Sequence, residues 1–175
     1  MKKILIDVGM CTGCGQCALT CAFKNSQTFD LAQSNIQVVQ WEDICLSVTV
    51  VCQQCQDAAC ISVCPTEAIS FHPRTGAIQI DMDICTQCHE CVEECRYHVI
   101  QITPVGDPHT CDLCDGNPKC VIACYPQALS FVEITNDEWE PFKEYAETLV
   151  ARLDGKLVPA PDVLAKMKIH DRRPA

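Results

Sequence analysis

The sequence is short of the large side chains that usually fill an oily core. Aromatics make up 6% of the 175 residues, with two Trp, three Tyr and five Phe. No apolar run approaches the roughly 18–20 residues of a spanning helix, so direct membrane insertion is not expected. Cations are scarce too: 13 Lys and Arg against 23 Asp and Glu give a formal charge of −10. That balance repels phosphate backbones and anionic lipid, which argues against nucleic-acid binding. No glycine-rich phosphate loop, flavin motif or nucleophile–base pair is present. The start, Met1-Lys2-Lys3-Ile4-Leu5-Ile6, opens like a signal peptide, but Asp7 interrupts it and Cys11 follows almost at once. The only Arg-Arg pair, Arg172-Arg173, sits at the wrong end for a twin-arginine leader. A chain without an export signal, working in the cytoplasm, is therefore expected.

What the chain has instead is cysteine, 17 residues of the 175. In a reducing cytosol such thiols read as metal ligands far more readily than as disulfides, and the odd count agrees. Sixteen fall into four groups of four. The first is Cys11, Cys14, Cys17, Cys21; the second Cys52, Cys55, Cys60, Cys64, followed by Pro65. The third is Cys85, Cys88, Cys91, Cys95; the fourth Cys111, Cys114, Cys120, Cys124, with Pro126 close behind. Cys45 alone stands outside, and is expected to be a small buried hydrophobe.

The surroundings repeat as well. Short strand signals follow the later groups at Ala68-Ile69-Ser70-Phe71, Val99-Ile100-Gln101-Ile102 and Ala128-Leu129-Ser130-Phe131. Others lead into the first group at Lys3-Ile4-Leu5-Ile6 and into the third at Ala77-Ile78-Gln79-Ile80. Pro73-Arg74-Thr75-Gly76 reads as the turn of a hairpin. The expected unit is strand, cysteine loop, short helix around the fourth cysteine, strand. Residues 22–51 form an insertion with a strand pair at 36–40 and 46–51. Beyond Thr135 the cysteines stop, and Trp139, Phe142, Ala146, Leu149, Val150 and Leu153 recur at helical spacing. A helical extension over 136–175 is expected, with a second short helix near 162–168. The acidic excess lies in 1–135, with 15 acidic against 6 basic side chains; the extension holds 8 against 7.

An iron–sulfur cubane needs four thiolates arriving from different directions. A Cys-x2-Cys-x2-Cys loop offers three, and in two-cluster ferredoxins the fourth cysteine ligates the other cluster. Sixteen thiolates suffice for four [4Fe–4S] clusters. Zinc modules more often pair two Cys-x2-Cys units across a longer spacer, which makes a zinc scaffold the weaker reading. A third reading, from another class, is an iron–sulfur assembly or storage factor.

These groups, in the order tight, expanded, tight, expanded, are where a resemblance becomes plain. Residues 1–135 resemble the four-cluster polyferredoxin subunits of molybdenum and tungsten oxidoreductases, the group that includes the B subunit of dimethyl sulfoxide reductase. Within it, the chain is most similar to the small subunit of tungsten aldehyde oxidoreductases. The resemblance implies an α+β fold of nested bacterial-ferredoxin-like modules. It also implies nested ligand sets. The first is Cys11, Cys14, Cys17 and Cys124; the second is Cys52, Cys55, Cys60 and Cys95. The third is Cys85, Cys88, Cys91 and Cys64; the fourth is Cys111, Cys114, Cys120 and Cys21. It implies a non-catalytic subunit that passes electrons between a large molybdenum or tungsten subunit and a ferredoxin or flavin subunit. Partnership with a hydrogenase or formate dehydrogenase is the alternative, and self-association through the extension is a further expectation. Ala22 and Arg96 depart from the family pattern, in which proline often follows the fourth cysteine.

Few other residues invite a role. Arg96 and Lys119 adjoin ligands and are candidates for raising a nearby reduction potential; within residues 1–135, Lys24 and Arg74 are the remaining cations beyond Lys2 and Lys3. His72, His89, His98 and His109 are not needed as ligands. Gly13 and Gly15 would let the first loop approach its cluster closely.

Overall fold

The computed structural model of the protein describes residues 1–41, 45–135, 137–139 and 143. Its strands are short and paired two by two, and all four pairs are antiparallel. β1 (Lys2–Ile6) pairs with β8 (Leu129–Glu133), which closes the ends of the cysteine-bearing chain on each other. Lys2 stands opposite Glu133 and Ile4 opposite Phe131 across this pair, so its register sets opposite charges and apolar residues against each other. Two hydrogen bonds extend it, from the Met1 ammonium to the Ile134 carbonyl at 2.7 Å and from the Asp7 N–H to the Ala128 carbonyl at 2.7 Å.

Between these ends lie β2 (Ile36–Trp41) with β3 (Leu46–Val51), and β4 (Ile69–Phe71) with β5 (Ile78–Ile80). The last pair is β6 (Gln101–Ile102) with β7 (Pro108–His109). The hairpin expected at residues 73–76 is present: the His72 N–H donates to the Ala77 carbonyl at 2.7 Å. Four helices accompany the cysteine groups: α1 (Gln16–Ser26), α2 (Ala59–Ser62), α3 (Glu90–Glu93) and α4 (Lys119–Ile122). α1 packs on α4 and α2 on α3, so first group meets fourth and second meets third.

The helices correct one expectation. The three short ones hold the third cysteine of their groups, Cys60, Cys91 and Cys120, rather than the fourth. A three-residue spacer takes up a single turn, so Cys64, Cys95 and Cys124 fall just past the helix end. Pro65 and Pro126 sit in the turns that follow, not in a first helical turn. α1 differs: it runs on to Ser26, inside the segment expected to be insertion, and Ala22 permits this, whereas α3 ends at Glu93 although Arg96 rather than proline follows Cys95. The strand after the third group is two residues long, shorter than its apolar run suggests. Cys45 is exposed, not buried, at a φ of 52° between β2 and β3, where the hairpin end faces water.

The core is built from small aliphatic residues and thiols. Cys17, Cys21, Cys52, Cys60, Cys91, Cys111 and Cys120 are buried among Ile4, Ile36, Val51, Ile69, Ile78, Val99, Ile100 and Leu129. Trp139 is also buried, so the extension begins packed against the cysteine-bearing part. The rest of its apolar stripe, the helix expected over 136–155 and the one near 162–168 lie outside the described residues.

One buried amide ties the groups together. Gln54 donates through Nε2 to the Cys111 carbonyl at 2.8 Å and accepts from the Ile78 N–H at 2.7 Å. It thereby joins the second cysteine loop to the fourth and to β5. Gln54→Leu would leave both backbone groups unpaired in a dry interior, at a cost of about 1–3 kcal/mol for each. Its thermal midpoint, measured anaerobically on the metal-loaded protein, is expected to fall clearly below the parent's.

Candidate metal centre

The loops owe their shape to a repeated backbone device. Two residues past the first cysteine of each group, the chain turns left-handed: Gly13 at φ 68°, Gln54 at 49°, Gln87 at 56° and Leu113 at 55°. After the second cysteine it does so again at Gly15, His89 and Asp115. Three residues past the fourth, Glu67, His98 and Gln127 repeat it once more. Each reversal curls the loop so that its cysteines converge, and successive N–H groups in such turns form concavities suited to anions. Glycine takes this conformation freely only in the first loop. In the others, ordinary side chains bear its cost of about 1–2 kcal/mol per residue. At Gly13 a β-carbon would collide with Gln40 and Ser47.

The thiols gather across groups as well as within them. Cys64 lines one cavity with Cys85, Cys88 and Cys91, bounded by Thr66, Ile69, Ile80, His89 and Pro108. Cys17 lies in the electrostatic reach of Cys11, Cys14 and Cys124. Cys52 is in reach of Cys55 and Cys95, and Cys60 of both of those and Cys52. Cys120 faces Cys21 and Cys114, and Cys111 faces Cys120 and Cys21. Electrostatic influence also runs between these gatherings, from Cys17 on Cys120, from Cys52 on Cys111 and from Cys91 on Cys60. Cys14 and Cys88 are the exposed members; Cys45, the remaining exposed thiol, belongs to no gathering.

Burial is the main force on these thiols. It pushes Cys17, Cys52 and Cys91 up to about 11, and Cys60 and Cys120 up to about 12, with neighbouring thiolates adding to the rise. Cys111 is raised well above its ordinary value by the same causes. Cys64 goes the other way: burial acts upward, but N–H groups at Thr66, Ala68 and Ile69 outweigh it. The Ala68 N–H donates to Cys64 Sγ at 3.3 Å, and the Asn35 N–H to Cys21 Sγ at 3.4 Å.

The donor set fits iron–sulfur clusters. Thiolates on a single zinc ion stand ~3.8 Å apart, given a Zn–S bond of about 2.3 Å. Each gathering draws its thiols from two separate stretches of chain, as in two-cluster ferredoxins. A cubane takes each thiolate on a different iron and so holds them wider. The histidines are engaged elsewhere: His89 with the Gly106 carbonyl at 2.8 Å, His109 with Asn35, and His72 with Thr75.

Charged side chains around the thiols are few. Arg96 donates to Asp57 at 2.9 Å and acts on Cys55; Lys24 donates to Asp112 at 2.6 Å and acts on Cys21. Lys119 is exposed. Sequence reasoning passed over Lys3, whose buried ammonium donates to the carbonyls of Gln53 and Gln54. Desolvation lowers it to about 8, against the pull of Cys55, Cys52 and Asp57. A lysine in a strand-leading run gave no sign of this role; a polar residue in the middle of the apolar β1 pattern was the available signal.

A 4Fe-4S dicluster domain family model matches residues 51–99, which contain the second and third cysteine groups. Curated relatives extend further. The polyferredoxin-like subunit of aliphatic sulfonate oxidoreductase from Pyrococcus furiosus is 34% identical over 140 residues, covering 79% of this chain and 80% of that protein. The thiosulfate reductase electron transfer subunit PhsB of Salmonella typhi is 31% identical over 166 residues, 85% of this chain and 86% of that one. The beta subunit of NADH-dependent phenylglyoxylate dehydrogenase from Aromatoleum evansii is 35% identical over 147 residues, 79% of this chain; the match spans only 33% of that larger protein. Among solved structures, a chain of the active site complex BamBC of benzoyl coenzyme A reductase with benzoyl-CoA aligns over 94% of both chains, at 25% identity and a TM-score of 0.46. The cysteine loops thus define an iron–sulfur protein of ferredoxin-like type. More narrowly, the chain belongs to the polyferredoxin-like electron-transfer subunits of oxidoreductases.

The raised thiols set two opposite pH dependences. A thiol above its unfolded value of 9.0 contributes stability below pH 9 that is lost as pH climbs through 11 to 12. Cluster uptake must expel the same protons, so it is favoured by rising pH. Reconstitution with iron and sulfide is therefore expected to be more complete at about pH 8.5 than at about pH 6.5. The metal-free protein should instead lose thermal stability above pH 9. Iron uptake independent of pH would mean the thiols are not held protonated.

Proposed function

We propose that the chain is an electron wire holding four [4Fe–4S] clusters in four nested ligand sets. Cys11, Cys14, Cys17 and Cys124 form the first set, and Cys52, Cys55, Cys60 and Cys95 the second. Cys85, Cys88, Cys91 and Cys64 form the third, and Cys111, Cys114, Cys120 and Cys21 the fourth. Each bound cluster would supply reversible one-electron chemistry, and full thiolate ligation leaves no open iron for substrate.

The observation that carries this reading is the continuity of the thiols. The electrostatic influences of Cys17 on Cys120, Cys52 on Cys111 and Cys91 on Cys60 support an order of first, fourth, second, third. The exposed ligands, Cys14 and Cys88, belong to the two terminal sets, where a partner's cofactor could approach. Buried thiols in between keep water from the middle of the path. With four clusters at −2 each, the formal charge moves from −10 to about −18. Docking would then favour basic partner surfaces and weaken with salt.

The partners we assign are a catalytic molybdenum or tungsten subunit at one end and a ferredoxin or flavin subunit at the other. Relatives named as subunits of a sulfonate oxidoreductase, a thiosulfate reductase and a phenylglyoxylate dehydrogenase support an oxidoreductase complex. Aldehyde oxidation is the partner reaction we favour. The cytoplasm is the compartment we favour; no helix among the described residues is long and apolar enough to cross a membrane. Residues 136–175 serve in this reading as a helical extension that begins packed on the cluster-bearing part at Trp139.

Anaerobic metal analysis is expected to find about sixteen irons per chain and essentially no zinc. About four zinc and no iron would refute the proposal, and rapid loss of clusters to an acceptor protein would favour an assembly factor.

Nesting has its own test in Cys21→Ser. It should perturb the spectroscopic signature of the cluster held by Cys111, Cys114 and Cys120. A change confined to the cluster of Cys52, Cys55 and Cys60 would instead mean two ferredoxins in tandem.

A further inference from the structure

Lys3 is the one charged side chain among the buried described residues, with 1% of its surface exposed. β1 carries it away from its own cysteine group and into the second. There its ammonium donates to the carbonyls of Gln53 and Gln54, the latter at 3.3 Å. Those are the two residues between Cys52 and Cys55. The ring of Trp139 lies across the ammonium, with its centroid 3.9 Å from Nζ. Asp57 and the thiols of Cys55 and Cys52 are the anionic groups that act on it.

An ion buried this way carries a desolvation penalty of several kcal/mol unless opposite charge repays it. β1 could take an apolar residue at this position, and nothing in its strand pairing with Val132 calls for a cation. Asp57 is mostly exposed and already paired with Arg96, so it neutralises Lys3 poorly. A metal cluster at Cys52, Cys55, Cys60 and Cys95 would be the missing counter-charge.

The other sets are served differently. Lys24, beside the fourth set, is half neutralised by its 2.6 Å contact with Asp112. The largest influences on Cys17 of the first set and Cys91 of the third, among the described residues, come from burial, backbone hydrogen bonds and neighbouring thiols rather than from a cation. Arg96 adds a second positive charge near Cys55, but from the solvent side.

Resting on the ligand sets proposed above, we infer that Lys3 sets the reduction potential of the cluster held by Cys52, Cys55, Cys60 and Cys95, making it the first of the four to be reduced. The step is a single-electron transfer from a reduced neighbouring cluster, or from dithionite in vitro. The cluster and its thiolates pass from −2 to −3, and Lys3 keeps its proton. A positive charge in a dry interior stabilises the added electron far more than a surface cation does. Trp139 keeps that interior dry. Lys3 is a positioning residue here: it acts through the loop and its field, not as a ligand. Electrons would then rest inside the wire, away from both exposed ends.

The test is an anaerobic redox titration of the loaded full-length protein, followed by electron paramagnetic resonance. In Lys3→Met, one cluster should lose at least about tenfold in its reduced-to-oxidised ratio at fixed potential, ~59 mV for a one-electron couple. It should be the signal that Cys55→Ser alters, and the other three should hold. Lys3→Arg should restore most of the shift. Trp139→Ala, which admits water to the ammonium, should move the same signal in the same direction by less. Four unchanged midpoints in Lys3→Met, or a uniform shift of all four, would overturn the inference. If Lys3→Met fails to retain iron, Trp139→Ala decides, and no shift there overturns it. Fewer than about sixteen irons in the parent would instead refute the ligand sets, which is a separate failure.

Discussion

Desolvation of thiols governs this molecule. A chain with so few large side chains buries seven of its cysteines where aliphatic and aromatic residues would otherwise be. Burial alone would keep those thiols protonated and inert, because a thiolate in a dry interior is costly. Iron reverses the preference, since it binds only the deprotonated form and returns the lost solvation as metal–sulfur bonds. Folding and metal loading are therefore one equilibrium viewed from two sides. The short strands and four-residue helices make sense in that light. They are too small to be stable alone, and serve to bring thiols from distant stretches of chain to common points.

Much of this was legible in the amino-acid sequence, because the signal was spacing. Cysteine groups, the hairpin at residues 73–76 and the strand pair around Val38 and Val48 follow from periodicity and turn residues that act locally. The failures were also local in cause. Helix ends were misplaced because a three-residue spacer was read as leading into a helix, when it is the helix. α1 runs past its group to Ser26, which Ala22 permits, while α3, with Arg96 in the same place, stops at Glu93. Cys45 was assigned to the interior on residue type alone, although its place at a hairpin end puts it in water.

Other features left almost no trace. Gly13 and Gly15 announced the left-handed turns of the first loop. Gln54, Gln87, Leu113 and Asp115 adopt the same conformation in the other loops without any compositional sign. Tertiary context imposes it on them, at some cost in strain. Gln54 likewise looks like a surface amide until its two long-range backbone partners are seen. Lys3 looks like half of a basic N-terminal pair until β1 is laid against β8, and only then does its side chain reach the second loop. The ligand-bearing loops could be read in one dimension; the residues that brace them, and the one that charges them, needed three.

The pairing of β1 with β8 also dictates a timetable. Lys2 faces Glu133, so β1 waits for β8 to be synthesised before its hydrogen bonds can form. The β4–β5 hairpin and the contact of α2 with α3 involve only neighbouring stretches and can close as soon as they emerge. During that interval α1 has no α4 to cover it, and Cys17 and Cys21 stand open to oxygen and to stray metal. The chain is thus most vulnerable while it is being made. The sooner α4 follows α1, the shorter the time in which those thiols can be oxidised.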